Sequence, residues 1–171
     1  ENINNSHAYG KGWIKMRTAK VNWEKIDSFP IAAMNNYSSL EEILQEIVDD
    51  SDSKILDGRG LYAIIVSDDE GDREILYIGE THDQTIKERL PGEHDAYDNI
   101  VAYLGNLSGE MYVFAGEIIP ISPSKVTDVL IQDIEACLIY NLQPTYNTQN
   151  KERRKNPITV KNTGFITDTY L

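Results

Sequence analysis

The sequence predicts an α/β fold in which helices pack on a small sheet. Three observations predict it: a β-hairpin signal at residues 60–79, a third apolar run at 111–119, and amphipathic helical segments around both. Read along the chain from the hairpin, the order is β-β-α-α-β-α.

Residues 1–37 are polar and Asn-rich, with Trp13 and Trp23 as the expected anchors, and no regular element is assigned there. Ser39-Leu40-Glu41-Glu42 reads as a capping box, and Leu40, Ile43, Leu44, Ile47 and Val48 follow at helical spacing. An amphipathic helix is therefore expected over 39–50, ended by Asp49-Asp50-Ser51-Asp52. The hairpin comes next, with strands at 60–66 and 74–79 joined by an acidic turn at 67–73. Its β-branched residues Ile64, Ile65, Val66, Ile75 and Ile78 favour strand over helix.

Thr81 or Asp83 is the expected cap of a short helix carrying Ile86 and Leu90, stopped by Pro91-Gly92. Asp95 is the expected cap of another, with Tyr97, Ile100, Val101 and Leu104 inward and Gly105 at its end. Met111–Ile119 reads as the third strand. Ser122-Pro123 signals a helix running to about Asn141 and stopping before Gln143-Pro144. A short strand is expected at Ile158–Val160. The chain thus divides into an N-terminal extension (1–58), a central domain (59–147) and a basic tail (148–171).

Composition closes several routes. A single cysteine, Cys137, rules out an internal disulfide framework, and histidines at 7, 82 and 94 are too scattered for structural zinc. No run is long and apolar enough for a membrane span, so a cytoplasmic protein without membrane contact is expected. The net charge of −12 opposes binding to phosphate backbones, which draws largely on Lys and Arg. Yet the charge is segregated. Residues 41–58 are strongly acidic, whereas 149–161 carry Lys151, Arg153, Arg154, Lys155 and Lys161 against Glu152 alone.

Three features carry chemistry. In the hairpin, a turn near Glu70 makes paired positions sum to about 140, which puts Tyr62 opposite or diagonal to Tyr77. The sequence leaves the register, and so the facing of both rings, open. After the hairpin come Lys87, Arg89 and His94; a guanidinium beside an imidazole suits a phosphodiester, stabilising oxyanion charge and moving protons. Last, Glu135 is the one charge in Ile134–Tyr140, on an apolar half-helix where a carboxylate needs a cation, a metal or hydrogen bonds. Taken singly, each also fits a bland role: a cross-strand pair, a solvated helix face, a helical ion pair.

Together, and in this order, GLY at 60–62, YIG at 77–79, IKERL at 86–90, His94 and IEACLIYNLQPTYN at 134–147 resemble the GIY-YIG nuclease family. The resemblance covers about 60–147. It departs from the family in a longer gap between the tyrosine motifs, 63–76, and in an arginine placed slightly late, with Lys87 as the alternative.

The resemblance implies a three-stranded antiparallel sheet flanked by helices, to which the helix expected over 39–50 adds an N-terminal extension without a counterpart in the family. It implies divalent-metal-dependent hydrolysis of nucleic-acid phosphodiesters, DNA being the expected substrate. One Mg²⁺ or Mn²⁺ would be held by Glu135, with Arg89 stabilising the transition state and Tyr77 positioning phosphate or water. Tyr62 or His94 would activate the water, and which one stays open. Asn147 would brace the site or contact nucleic acid, and Lys87, Lys151, Arg153, Arg154 and Lys155 would bind phosphates. A homodimer is one arrangement that would cut both strands. The competing expectation, favoured by the acidity, is a catalytically inactive binding module of the same fold.

Overall fold

The computed structural model describes residues 17–122, 125–152, 156–165 and 169–170. Trp13, Arg153, Arg154 and Lys155 lie outside the described residues. In chain order the elements are β1 (Arg17–Pro30), α1 (Leu40–Asp50), β2 (Leu61–Asp68), β3 (Arg73–Glu80), α2 (Ile86–Arg89), α3 (Tyr97–Leu104), β4 (Gly109–Ser122), α4 (Asp128–Leu142), β5 (Ile158–Thr163) and β6 (Thr169–Tyr170). Short 3-10 turns at Ile31–Asn36 and Lys54–Asp57 flank α1.

The strands form one mixed sheet in the order β3-β2-β4-β1-β5-β6, the last a two-residue edge piece. The fold is α/β, but the sheet is not the three-stranded antiparallel one expected. The expected strands make up one side of it, β3-β2-β4, all antiparallel. β1 then pairs antiparallel with β4 and parallel with β5, so strands from 1–58 and from the tail join the same sheet.

β1 was hidden in a polar segment, although Ala19, Val21 and Trp23 alternate inward between Lys20 and Asn22. Lys25 pairs with Phe114 and Asp27 with Val113, leaving Ile26 as an extra residue. Such a bulge flips the faces of the strand beyond it. Ala19, Val21 and Trp23 accordingly serve one core, and Phe29 serves the other. One long strand feeds both.

The two cores lie on opposite faces of the sheet. Tyr62, Ile64 and Val66 of β2 face α1, α2 and α3, whereas Leu61 and Ala63 face α4. This explains why Leu61–Val66 is buried without interruption: a central strand covered on both sides has no solvent face. α1 forms as expected behind Ser39, whose side chain accepts from Glu42 N at 3.3 Å. The Glu42 carboxylate returns one residue further, accepting from Ser38 N at 2.7 Å.

Three helix starts differ from expectation. α2 begins behind Thr85, which forms a complete capping box with Glu88, and neither Thr81 nor Asp83 caps it. Thr81 is buried instead, its Oγ1 accepting from Gly60 N at 2.8 Å. α3 starts after Ala96 with no side-chain cap, because Tyr97 N already bonds His94 O and Asp95 is left in solvent. α4 starts behind Thr127, five residues after Ser122. β4 runs through to Ser122, which pairs with Thr18, so the Ser-Pro signal marks a strand end.

β3 is a sheet edge, and the chain after α4 covers it. Thr145 N and Tyr146 N donate to Ile75 O and Leu76 O at 3.0 and 2.8 Å. A free ladder edge is thereby blunted. At such an edge, groups from both faces of the sheet can meet.

Candidate active site

The hairpin register puts Tyr62 opposite Gly79 and Ile64 opposite Tyr77. The tyrosines are therefore diagonal neighbours on one face, with ring centroids 6.2 Å apart. The glycines have distinct uses. A Cβ on Gly79 would overlap the Tyr62 ring, and one on Gly60 would overlap the Gly116 carbonyl. The glycine of the second motif makes room for the tyrosine of the first.

His94 sits against both tyrosines. Its Nε2 lies 3.0 Å from Tyr62 Oη and 3.3 Å from Arg89 O, and its Nδ1 lies 3.2 Å from Arg89 Nη2. Tyr97 closes the cluster, its ring centroid 4.6 Å from that of His94 and its hydroxyl donating to Leu90 O. The Pro-Gly stop after α2 turns the chain so that His94 folds back on Arg89, five residues earlier.

This cluster borders a cleft of about 660 Å³ that also contains Glu80, Asn99, Glu135 and the 145–150 segment. A recess of about 130 Å³ opens beside it, lined by Tyr62, Tyr77, Glu80, Gln84, Arg89 and Glu135, with His82 at its rim. Tyr62, Tyr77, Arg89, His94 and Glu135 are thus gathered at the β3 edge. The first four lie on the side of the sheet covered by α1, α2 and α3, and Glu135 comes from α4 on the other. Glu135 is only half-buried; the deeply buried acid of α4 is Asp133.

The remaining candidates divide. Asn147 is buried, and its amide accepts from Ile78 N at 2.9 Å and donates to Ile78 O at 2.8 Å. Both polar ends are engaged by the backbone beside Gly79, which makes Asn147 a brace. Lys87 is exposed on α2 and lines neither the cleft nor the recess. Lys151 folds onto its own loop, donating to Thr145 O at 3.2 Å.

Glu80 was not anticipated. It directly follows the YIG motif, and the alternation of a strand end gives it no special signal. Its Oε2 is buried without a hydrogen-bond partner, and its Oε1 lies 3.4 Å from His82 Nε2.

Burial sets the electrostatics. It pushes the Tyr62 hydroxyl well above its ordinary range, and raises Tyr77 with the help of Glu135. It also raises the Glu80 carboxyl, against His82 and Arg89. His94 is pushed down to about 4, first by burial and then by Arg89. At neutral pH the site holds a neutral imidazole, neutral phenols and a fixed guanidinium.

Among the described residues no three His, Cys, Asp or Glu side chains gather as a metal cage. No helix among them is long and apolar enough to cross a membrane. No protein-family model, curated protein or solved structure matches the chain.

Proposed function

We propose that this protein is an endonuclease of the GIY-YIG type, hydrolysing nucleic-acid phosphodiesters, with DNA as substrate and Mg²⁺ or Mn²⁺ as cofactor. The observation that carries this reading is the bonded string Arg89–His94–Tyr62, whose two ends line a recess shared with Tyr77, Glu80 and Glu135. A fixed cation, two phenolic donors and two carboxylates around one small recess suit a phosphate in transit between bonding states.

The donor set fits a hard cation. Mg²⁺ keeps several waters and takes one or two carboxylates, so it needs no dedicated cage. Glu135 and Glu80 offer oxygens, and the unpartnered Glu80 Oε2 lacks the hydrogen bond a buried carboxylate normally has. When bound, the ion would neutralise charge developing on the leaving oxygen. In the reaction a water oxygen bonds to phosphorus and gives up a proton, the bridging P–O bond breaks, and the leaving oxygen takes up a proton. Arg89 holds the charge on the non-bridging oxygens, and Tyr77, at the mouth of the recess, donates to phosphate or water.

Incubating supercoiled plasmid and single-stranded RNA with the protein and Mg²⁺ or Mn²⁺ tests the reading. Nicked plasmid from wild type, lost in Glu135→Ala, is expected; intact nucleic acid under every metal condition would sink it. One observation favours the second reading, a catalytically inactive binding module. Arg89 is the one Lys or Arg among the described residues lining the cleft, against Glu80, Glu93, Asp95 and Glu135. Tight DNA or protein binding by a folded but inert protein would support that reading.

A further inference from the structure

We infer that His94 is a positioning residue, held as the Nε2-protonated neutral tautomer, that ties Arg89 to the Tyr62 hydroxyl and takes no proton in the reaction. The inference rests on the nuclease reading only for its activity measurements. Its structural part stands on hydrogen-bond roles alone.

A guanidinium has five N–H donors and no acceptor. The 3.2 Å approach of Arg89 Nη2 to His94 Nδ1 therefore requires Nδ1 to accept and to carry no proton. A backbone carbonyl can only accept, so the 3.3 Å approach of Arg89 O to His94 Nε2 requires that nitrogen to donate. Two parts of one arginine, each with a single possible role, assign the same tautomer. A charged imidazolium would set Nδ1–H against the guanidinium N–H groups. Burial and Arg89 oppose that form, in agreement with an imidazole neutral down to about pH 4.

The consequence falls on Tyr62. Its oxygen lies 3.0 Å from Nε2 and can only accept there, sharing the one imidazole proton with Arg89 O, which leaves the phenol's own O–H to point elsewhere. Tyr62 is fully buried, and the space it borders is the recess it lines with Tyr77, Arg89 and Glu135. Tyr62 thus presents a donor to an anionic oxygen. His94 has no lone pair left for a water or a phenol, because Arg89 occupies the one on Nδ1. Of the two candidates for the base, the imidazole is removed by its own hydrogen bonds.

Two measurements test this. Nitrogen-15 NMR of the wild-type imidazole is expected to show Nδ1 unprotonated and Nε2 protonated, unchanged between pH 5.5 and 8 as values chosen to span the ordinary histidine range of about 6.5. The opposite tautomer, or a ring that charges in that window, overturns the inference. The second compares His94→Gln with His94→Ala. A glutamine carbonyl can accept from Arg89 and its NH₂ can donate to Tyr62, but an amide is no base. H94Q is expected to nick plasmid within about tenfold of wild type, whereas H94A falls by about a hundredfold or more, chiefly in kcat. An H94Q protein as inactive as H94A, with wild-type Tm, overturns the inference. A wild type that cleaves nothing removes the nuclease reading alone, and the tautomer then decides the positioning role.

Discussion

Asp133 and Glu135 stand two residues apart on α4, a spacing that turns them to opposite sides of the helix. Asp133 is 2% exposed, accepting from Arg17 Nη1 at 2.5 Å and from Asn156 Nδ2 at 2.8 Å. Glu135 is half-buried and lines the cleft beside Tyr77 and Arg89. By burial alone, Asp133 is the more conspicuous acid. Its demands are met, though, by the start of β1 and the lead-in to β5, so its charge fastens three parts of the chain together. What separates the two acids is the surroundings that complete each one. Asp133 is enclosed by protein, whereas Glu135 also borders a cleft that a ligand can enter.

The sharpest way to break this contrast is to remove each acid in turn. Glu135→Ala is expected to lower metal-dependent nicking by about a thousandfold or more, with Tm within a few degrees of wild type. A nicking rate near wild type would take Glu135 out of the site. Asp133→Ala should do the reverse. It leaves Arg17 and Asn156 without their partner, at a cost of about 3 kcal/mol, with little change in activity per folded molecule. Urea unfolding monitored by Trp23 fluorescence reads the loss, and an unchanged midpoint would break the comparison from its structural side.

Gly79→Ala falls between the two poles, because Gly79 belongs to both fold and site. Its new methyl would meet the Tyr62 ring, destabilising the fold by about 2 kcal/mol and moving the hydroxyl off His94. Both readouts should drop together. A drop in stability with full nicking would mean that the Tyr62 position does not matter to activity.

The legible parts of the molecule were those with local causes. α1, the hairpin and the end of α4 follow from a capping serine, β-branched runs around a polar turn, and Gln143-Pro144. The diagonal placement of Tyr62 and Tyr77 followed from turn position, within one residue of the observed register. β1 was missed because its alternation lies among Lys, Asn and Glu side chains, and its bulge destroys a single period over 14 residues. The start of α4 was misread because Ser122 is claimed by Thr18, a partner more than a hundred residues away. Glu80 and Asp133 differ from ordinary acids only through what surrounds them in space. No spacing rule carries that information.

His94 supplies the smallest effect and sets fold against site within one side chain. Its site is faced by Tyr62 of β2, Tyr77 of β3, Arg89 of α2, Tyr97 of α3 and, more distantly, Glu41 of α1 and its own neighbour Asp95. With the folded value depressed to about 4 and the unfolded one at the ordinary 6.5, the unfolded chain binds the extra proton first. The contribution is therefore intact above about pH 6.5 and is lost as the pH falls toward 4. The full shift corresponds to about 3 kcal/mol, and partial solvent contact reduces this to roughly 1–2. Glu80 works in the opposite direction, since its raised carboxyl binds a proton more readily when folded. The net Tm of wild type thus mixes the two, and the difference between wild type and H94Q isolates the imidazole. That difference should shrink steadily from pH 7 to 4.5. A constant difference would show that the imidazole titrates alike in folded and unfolded chains, and that Arg89 does not hold it neutral.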